Sequence, residues 1–157
     1  MQDETQATHL AKTVHTHHRY PEYTLFFPFV SIKKRALEAM KIGDVVLLGF
    51  SSLEMVLVLE DTQEAKVSPS HVLAQNKLNI IEVKKEKIVQ PKSKKSMLLQ
   101  CRFGIVQSRT LEVGHKIDIS SISLEQVEIV VNQKCIASAK LVNVDDEIAI
   151  EIIEVRV

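Results

Sequence analysis

Apolar residues along this chain recur mostly in alternation, the period of a strand with one buried face. Val45 to Phe50 and Leu53 to Glu60 are β-rich runs separated by Ser51-Ser52. In the second run Met55, Leu57 and Leu59 fall on one face, and Val56 and Val58 on the other. A strand apolar on both faces is either central in its sheet or covered by a second subunit. Ser68-Pro69-Ser70 breaks the pattern, and Leu78 to Val83 resumes it. Further on, Val127, Ile129 and Val131 alternate with Glu128 and Val130. Asn132-Gln133 reads as a turn into Cys135-Ile136-Ala137, and Asp145-Asp146 reads as another. The last run, Glu147 to Val157, holds Ile148, Ile150 and Ile152 on one face and then changes phase, continuing with Ile153, Val155 and Val157. One segment departs from this period. Ser31 is placed to cap a short helix reaching Ala39 or Met40, with Ile32, Ala36 and Met40 on one face and Gly43 as its stop. The pattern predicts a mainly β fold with one short helix.

The pattern also occurs twice. Gly43 corresponds to Gly114 and Leu53-Glu54 to Leu124-Glu125 at an offset of 71; Ile80 to Val83 correspond to Ile152 to Val155 at an offset of 72. Three anchors in the same order, with one residue of slippage, point to a duplicated module. The phase change at Ile152-Ile153 recurs at Ile80-Ile81. A break shared by both copies predicts a bulge, or a strand that leaves one sheet for another. Each copy is near the lower size limit for an independent core. The copies are therefore expected to pair with each other, or with copies in another chain, and to share one topology.

Composition sets the boundaries. Residues 1–22 are polar and His-rich and read as an arm. The first unit spans 23–83 and the second 98–157. Between them, 84–97 carries Lys84, Lys85, Lys87, Lys92, Lys94 and Lys95 with Pro91, a basic linker composition. The chain has 157 residues with 20 basic and 20 acidic side chains, so no global field draws it to DNA or membrane. It has no Trp, so the core must be aliphatic. No apolar run is long enough to span a bilayer, and no signal peptide opens the chain, so the reading is cytoplasmic, with any membrane association made through a partner. Cys101 and Cys135 fit neither a disulfide framework nor a zinc ribbon and read as buried free thiols.

Several residues invite sharper chemistry. His9, His15, His17 and His18 are metal-ligand types, but a metal site needs ligands held by a scaffold, and an arm supplies none. Cys135 and His115 are a nucleophile and a base by type, yet no third group orients them. The lysine run could contact phosphates, though without interleaved aromatics for base stacking. With four glycines and no phosphate-cradling loop, neither enzymatic activity nor a metal or cofactor is expected.

Leu98 to Val157 resembles the SpoA (surface presentation of antigens) domain. The resemblance is carried by Val113-Gly114, Ile117 to Ile119, Val130-Val131-Asn132-Gln133-Lys134, Ala137-Ser138-Ala139, Asp145-Asp146 and Ile148 to Ile152; Gln133 stands where the family usually has glycine. The first unit is similar chiefly through Ile42-Gly43-Asp44-Val45-Val46 and the strand after it. Two such units in tandem look more like the secretion-system ring protein than the single-unit flagellar switch protein, which remains the alternative. The family commonly carries a larger N-terminal domain, whose absence here implies a fragment or an internally started short form. The resemblance implies an intertwined β-fold without catalytic role, built by SpoA–SpoA pairing. It implies partners among other SpoA domains, the stator-like regulator of the export ATPase and other ring or sorting-platform proteins, with no nucleic acid and no direct membrane insertion. It places a partner-binding patch at Leu141, Val142 and Val144. Three aliphatics in four residues cannot share one strand face, so docking patch and plain core both remain open for them. A reading of another class is a small nucleic-acid-binding β-protein that uses the lysine linker.

Overall fold

Eleven strands and one short helix follow from these patterns in a computed structural model that describes residues 20–69, 77–120 and 122–156. The first unit supplies β1 (Glu22–Phe26), β2 (Val30–Lys33), α1 (Lys34–Glu38), β3 (Val45–Phe50), β4 (Met55–Leu59), β5 (Thr62–Pro69) and β6 (Lys77–Lys87). The second supplies β7 (Ser96–Gln107), β8 (Lys116–Asp118), β9 (Gln126–Val131), β10 (Lys134–Val144) and β11 (Glu147–Val155). All pairs are antiparallel, and the order is β3-β11-β10-β9-β7-β1-β4-β5-β6-β8, with β2 also on β7.

That order reads the same from either end once each strand is replaced by its repeat partner. β1 answers β7, β4 answers β9, β5 answers β10, and β6 answers β11. The remaining two strands are exchanged. β3 of the first unit pairs with β11 of the second, and β8 of the second pairs with β6 of the first. The two units therefore do not lie side by side; each completes the other's sheet.

The exchange is repeated down to single hydrogen bonds. Gly43 N–H donates to Ile152 O at 2.8 Å, and Ile152 N–H to Asp44 O at 2.9 Å. In the other half Gly114 N–H donates to Ile80 O at 2.8 Å, and Ile80 N–H to His115 O at 2.9 Å. The anchors of the sequence repeat thus meet crosswise. Gly43 and Gly114 have φ of +94° and +92°. Each sits third in a turn closed by the next residue, Asp44 N–H to Lys41 O and His115 N–H to Glu112 O. A glycine is favoured there because φ is positive, as in a type II turn. Gly43 is consequently a turn glycine and not the helix stop expected from its spacing.

The shared phase change is a bulge in both halves. Lys66 faces Glu82 and Val67 faces Ile80, leaving Ile81 without a partner; Ser138 faces Glu154 and Ala139 faces Ile152, leaving Ile153 in the same position. Across the middle of the sheet, β1 and β7 pair with Phe26 opposite Arg102. These two are themselves repeat equivalents, since Phe26 faces Val56 on β4 and Arg102 faces Glu128 on β9. The axis relating the halves therefore passes between them.

One face of the sheet buries a single, mainly aliphatic cluster fed by both units, including Leu25, Leu57, Val67, Leu78 and Ile80 with Leu99, Ile117, Ile129, Ile150 and Ile152. It is not wholly aliphatic, because Phe27 is fully buried in it against Phe50 and Phe103. Neither half owns this core, because Ile117 fills the first half and Leu48 comes from a strand docked on the second. β4 is central and apolar on both faces. Its second face, Val56 and Val58, packs with Phe26 under Phe29 and Ile88, so the cover comes from this chain.

Other boundaries move. Ser31 caps nothing: Val30 to Lys33 pair with Leu99 to Ser96, and the ladder's hydrogen bonds outweigh a single cap. Only Lys34–Glu38 remains helical. The basic linker is shorter than its composition suggests, since Lys84 to Lys87 extend β6 and Ser96-Met97 open β7. Glu22, placed in the arm, starts β1; the arm's residues 1–19, with their four histidines, lie outside the described residues, as does Ser70 of the break. Asn132-Gln133 and Asp145-Asp146 are turns as expected, all four residues at φ between 50° and 65°.

Candidate protein interaction face

Pairing registers decide which side chains share the outer face, opposite the core. Val142 lies across from Ala149, and Ala149 across from Leu47. Lys140 lies across from Glu151, and Glu151 across from Val45. Two rows thus run over β10, β11 and β3, and Val144 opposite Glu147 adds a third position at the end. Leu47 is 59% exposed and Val45 49%, on a strand at the sheet's edge. Ala149 is fully buried between Leu47 and Val142, which gives the strip a shallow floor. At one end stands the exposed acidic turn Asp145-Asp146-Glu147, braced by Asp146 N–H donating to Asn143 Oδ1 at 3.1 Å. The other row carries a weak ion pair, Lys140 to Glu151 at 3.9 Å. An apolar strip with a polar rim on an edge strand is the form of surface that takes an extended or helical segment.

The three residues placed in a patch by the resemblance separate here. Val142 and Val144 are half-buried on the outer face, while Leu141 lies on the other face, packed against the core cluster. Asn143, which interrupts the aliphatic run, is the turn brace. Val45 and Leu47 were legible only as strand residues. Their membership of the strip comes from the β3–β11 pairing, and no local pattern signals it.

Next along the outer face, polar groups replace the strip. Arg102 donates to Glu128 through Nη2 at 2.9 Å and Nε at 3.2 Å, and Arg156 reaches the other oxygen at 3.3 Å. The Arg102 hydrogen bond, more than any other influence, holds the Glu128 carboxyl below the usual carboxylate range. Arg156 also donates to Glu154, Ser138 and the sulfur of Cys135.

Both cysteines are free thiols in strands, but only Cys101 is buried, where desolvation pushes it up to about 12. Cys135 is half-buried because the bulge between Cys135 and Ala137 turns it toward Glu128 and Arg156. His115 precedes β8 near the opposite end of the strand order and engages Ile80 through its backbone, so the fold does not bring it to Cys135. Among the described residues no group of three His, Cys, Asp or Glu is placed to hold a metal ion. No described helix is long and apolar enough to cross a membrane. A shallow apolar groove of about 410 Å³ lies between α1 and the ends of β10 and β11, lined by Leu37, Met40, Ile136 and Val155.

Comparison with protein-family models finds no match to this chain, and comparison with curated proteins finds none either.

Proposed function

We propose that this protein is a structural adaptor of the cytoplasmic ring, or sorting platform, of a type III secretion system. In this reading its paired SpoA-like units bind the stator-like regulator of the export ATPase and other ring proteins. The observation that carries the reading is the exchange of β3 and β8, which builds one sheet from two repeated units. An intertwined pair of this kind is what the SpoA resemblance implies, and the apolar strip over β10, β11 and β3 offers the pair a docking face. Its place at the inner face of the membrane would follow from the apparatus to which it is bound.

The test pairs a pull-down by the regulator with circular dichroism. Val142→Asp places a charge on the half-exposed strip, and it should weaken capture about tenfold or more while leaving the β spectrum intact. Leu141→Asp puts the same charge on the core side, and it should unfold the chain. A folded Val142→Asp protein that is captured normally removes the strip from the proposal. Failure of the unmodified chain to bind the regulator, with capture by flagellar ring proteins instead, assigns it to the flagellar alternative.

A further inference from the structure

A neutral total of 20 basic and 20 acidic residues hides a local excess of cations created by the pairing of β2 with β7. Lys33 lies opposite Ser96, and Lys34 N–H donates to Lys95 O at 2.7 Å. These contacts join the segment that carries Lys33, Lys34 and Arg35 to the linker segment that carries Lys92, Lys94 and Lys95. All six are exposed. Among the described residues no carboxylate lies within ion-pair distance of any of them. Other lysines of the same basic stretch differ, since Lys84 meets Glu86 at 3.7 Å and Lys85 meets Glu64 at 3.8 Å.

Six cations with no carboxylate at ion-pair distance among the described residues fit a polyanionic partner. Five of the six are lysines, compact charges with no fixed geometry, and such charges suit a fluid, laterally mobile layer of anionic groups. Specific nucleic-acid readers rely on bidentate guanidinium groups and on aromatic rings for stacking, and no aromatic residue falls within 33–35 or 92–95. Just before the lysines, Val89 is 71% exposed and Pro91 is half-buried. An apolar side chain bared beside lysines is accommodated at a lipid headgroup boundary. We propose that this composite cluster docks the protein on an anionic lipid surface, peripherally and without insertion of a span. The proposal stands on the cluster and not on the ring reading; a chain that binds lipid but not the regulator separates the two.

The experiment pellets the full chain with vesicles of phosphatidylcholine alone or with added phosphatidylserine, at low and high salt. Binding should require phosphatidylserine and fall away with salt. Lys33→Gln with Lys34→Gln, and separately Lys94→Gln with Lys95→Gln, should each weaken partition about thirtyfold, because each near-surface lysine contributes alike. Val89→Ser should weaken it further but less. Lys77→Gln with Lys116→Gln makes the same charge change at the β8 edge and should leave partition nearly unchanged. The idea is overturned if the unmodified chain ignores anionic vesicles or binds neutral ones equally. It is also overturned if the control pair weakens binding as much as the cluster pairs, or if a duplex oligonucleotide is bound more tightly than the vesicles. The salt and lipid comparisons use the unmodified chain, so they decide the matter whether or not any variant folds.

Discussion

Where the first half of the sheet sets Phe26 against Val56 on its outer face, the second sets Arg102 against Glu128 at the equivalent positions. The first pair is the centre of a small apolar cluster roofed by Phe29 and Ile88; the second is an ion pair joined by Arg156. The inequality reverses at the edges. Val45 and Leu47 on β3 correspond to Lys116 and Asp118 on β8, and Ala149 corresponds to Lys77. One edge is therefore long, apolar and bare, and the other is three residues long and charged. Short charged edges resist pairing with another chain, while long apolar ones invite it. The backbone plan and the core have stayed alike in the two copies, whereas the outer face has diverged and now distinguishes the two ends.

The largest test asks whether the halves are truly one body. Ile80 and Ile152 are both fully buried where the units cross. Ile80→Asp or Ile152→Asp should each abolish the whole fold in one step, because a buried charge without a partner is not tolerated. Circular dichroism and amide exchange read this directly, and survival of either half in either variant would break the equivalence. A smaller effect sharpens the contrast of the outer faces. Phe26→Ala should cost about 3 kcal/mol or more in urea unfolding, as for a buried aromatic ring. Arg102→Ala at the matching position should cost about 1 kcal/mol or less, since its ion pair is partly exposed. Equal costs would show that the second half has an outer core of its own.

The smallest effect is pH-dependent. Glu128 is held below its ordinary range in the folded chain, first by the Arg102 hydrogen bond, and Asp118 is held low at the other edge chiefly by the backbone N–H of Ser120. A depressed carboxyl contributes stability that is present above its unfolded value and is lost as pH falls through the folded one. Stability should therefore decline on acidification below about pH 4. Glu128→Gln should flatten that decline, measured as urea midpoints against pH. An unchanged acid profile would mean that the Arg102–Glu128 pair, the mark of the second half, does not contribute to the fold.

Much of this was legible residue by residue. Alternation gave β3, β4, β9 and β11, since a strand's period is local. Asn132-Gln133 and Asp145-Asp146 announced their turns, because a sharp reversal needs residues that tolerate positive φ. The repeat and its phase change foretold the bulges at Ile81 and Ile153, since an extra residue must shift the apolar positions. Ser31 misled, because its capping potential competed with a β2–β7 ladder formed far along the chain. β5 was hidden, as its mixture of charged and apolar residues is not a clean alternation.

By itself, then, the sequence determined the strand character, the turns, the internal repeat and the mainly aliphatic composition of the core, all of which can be read from residue types and their spacing along the chain. The core is not wholly aliphatic, since Phe27 is fully buried in it. Only the tertiary structure decided which strand each edge would join. Crossing β3 to β11 and β8 to β6 is driven by burying Ile80, Ile117, Ile150 and Ile152 in one shared core that neither unit could close alone. That crossing, together with the pairing of β2 and β7, also assembled the apolar strip and the lysine cluster. The strip joins residues of the two units and the cluster joins the first unit to the linker, and no local pattern encodes contacts at that separation.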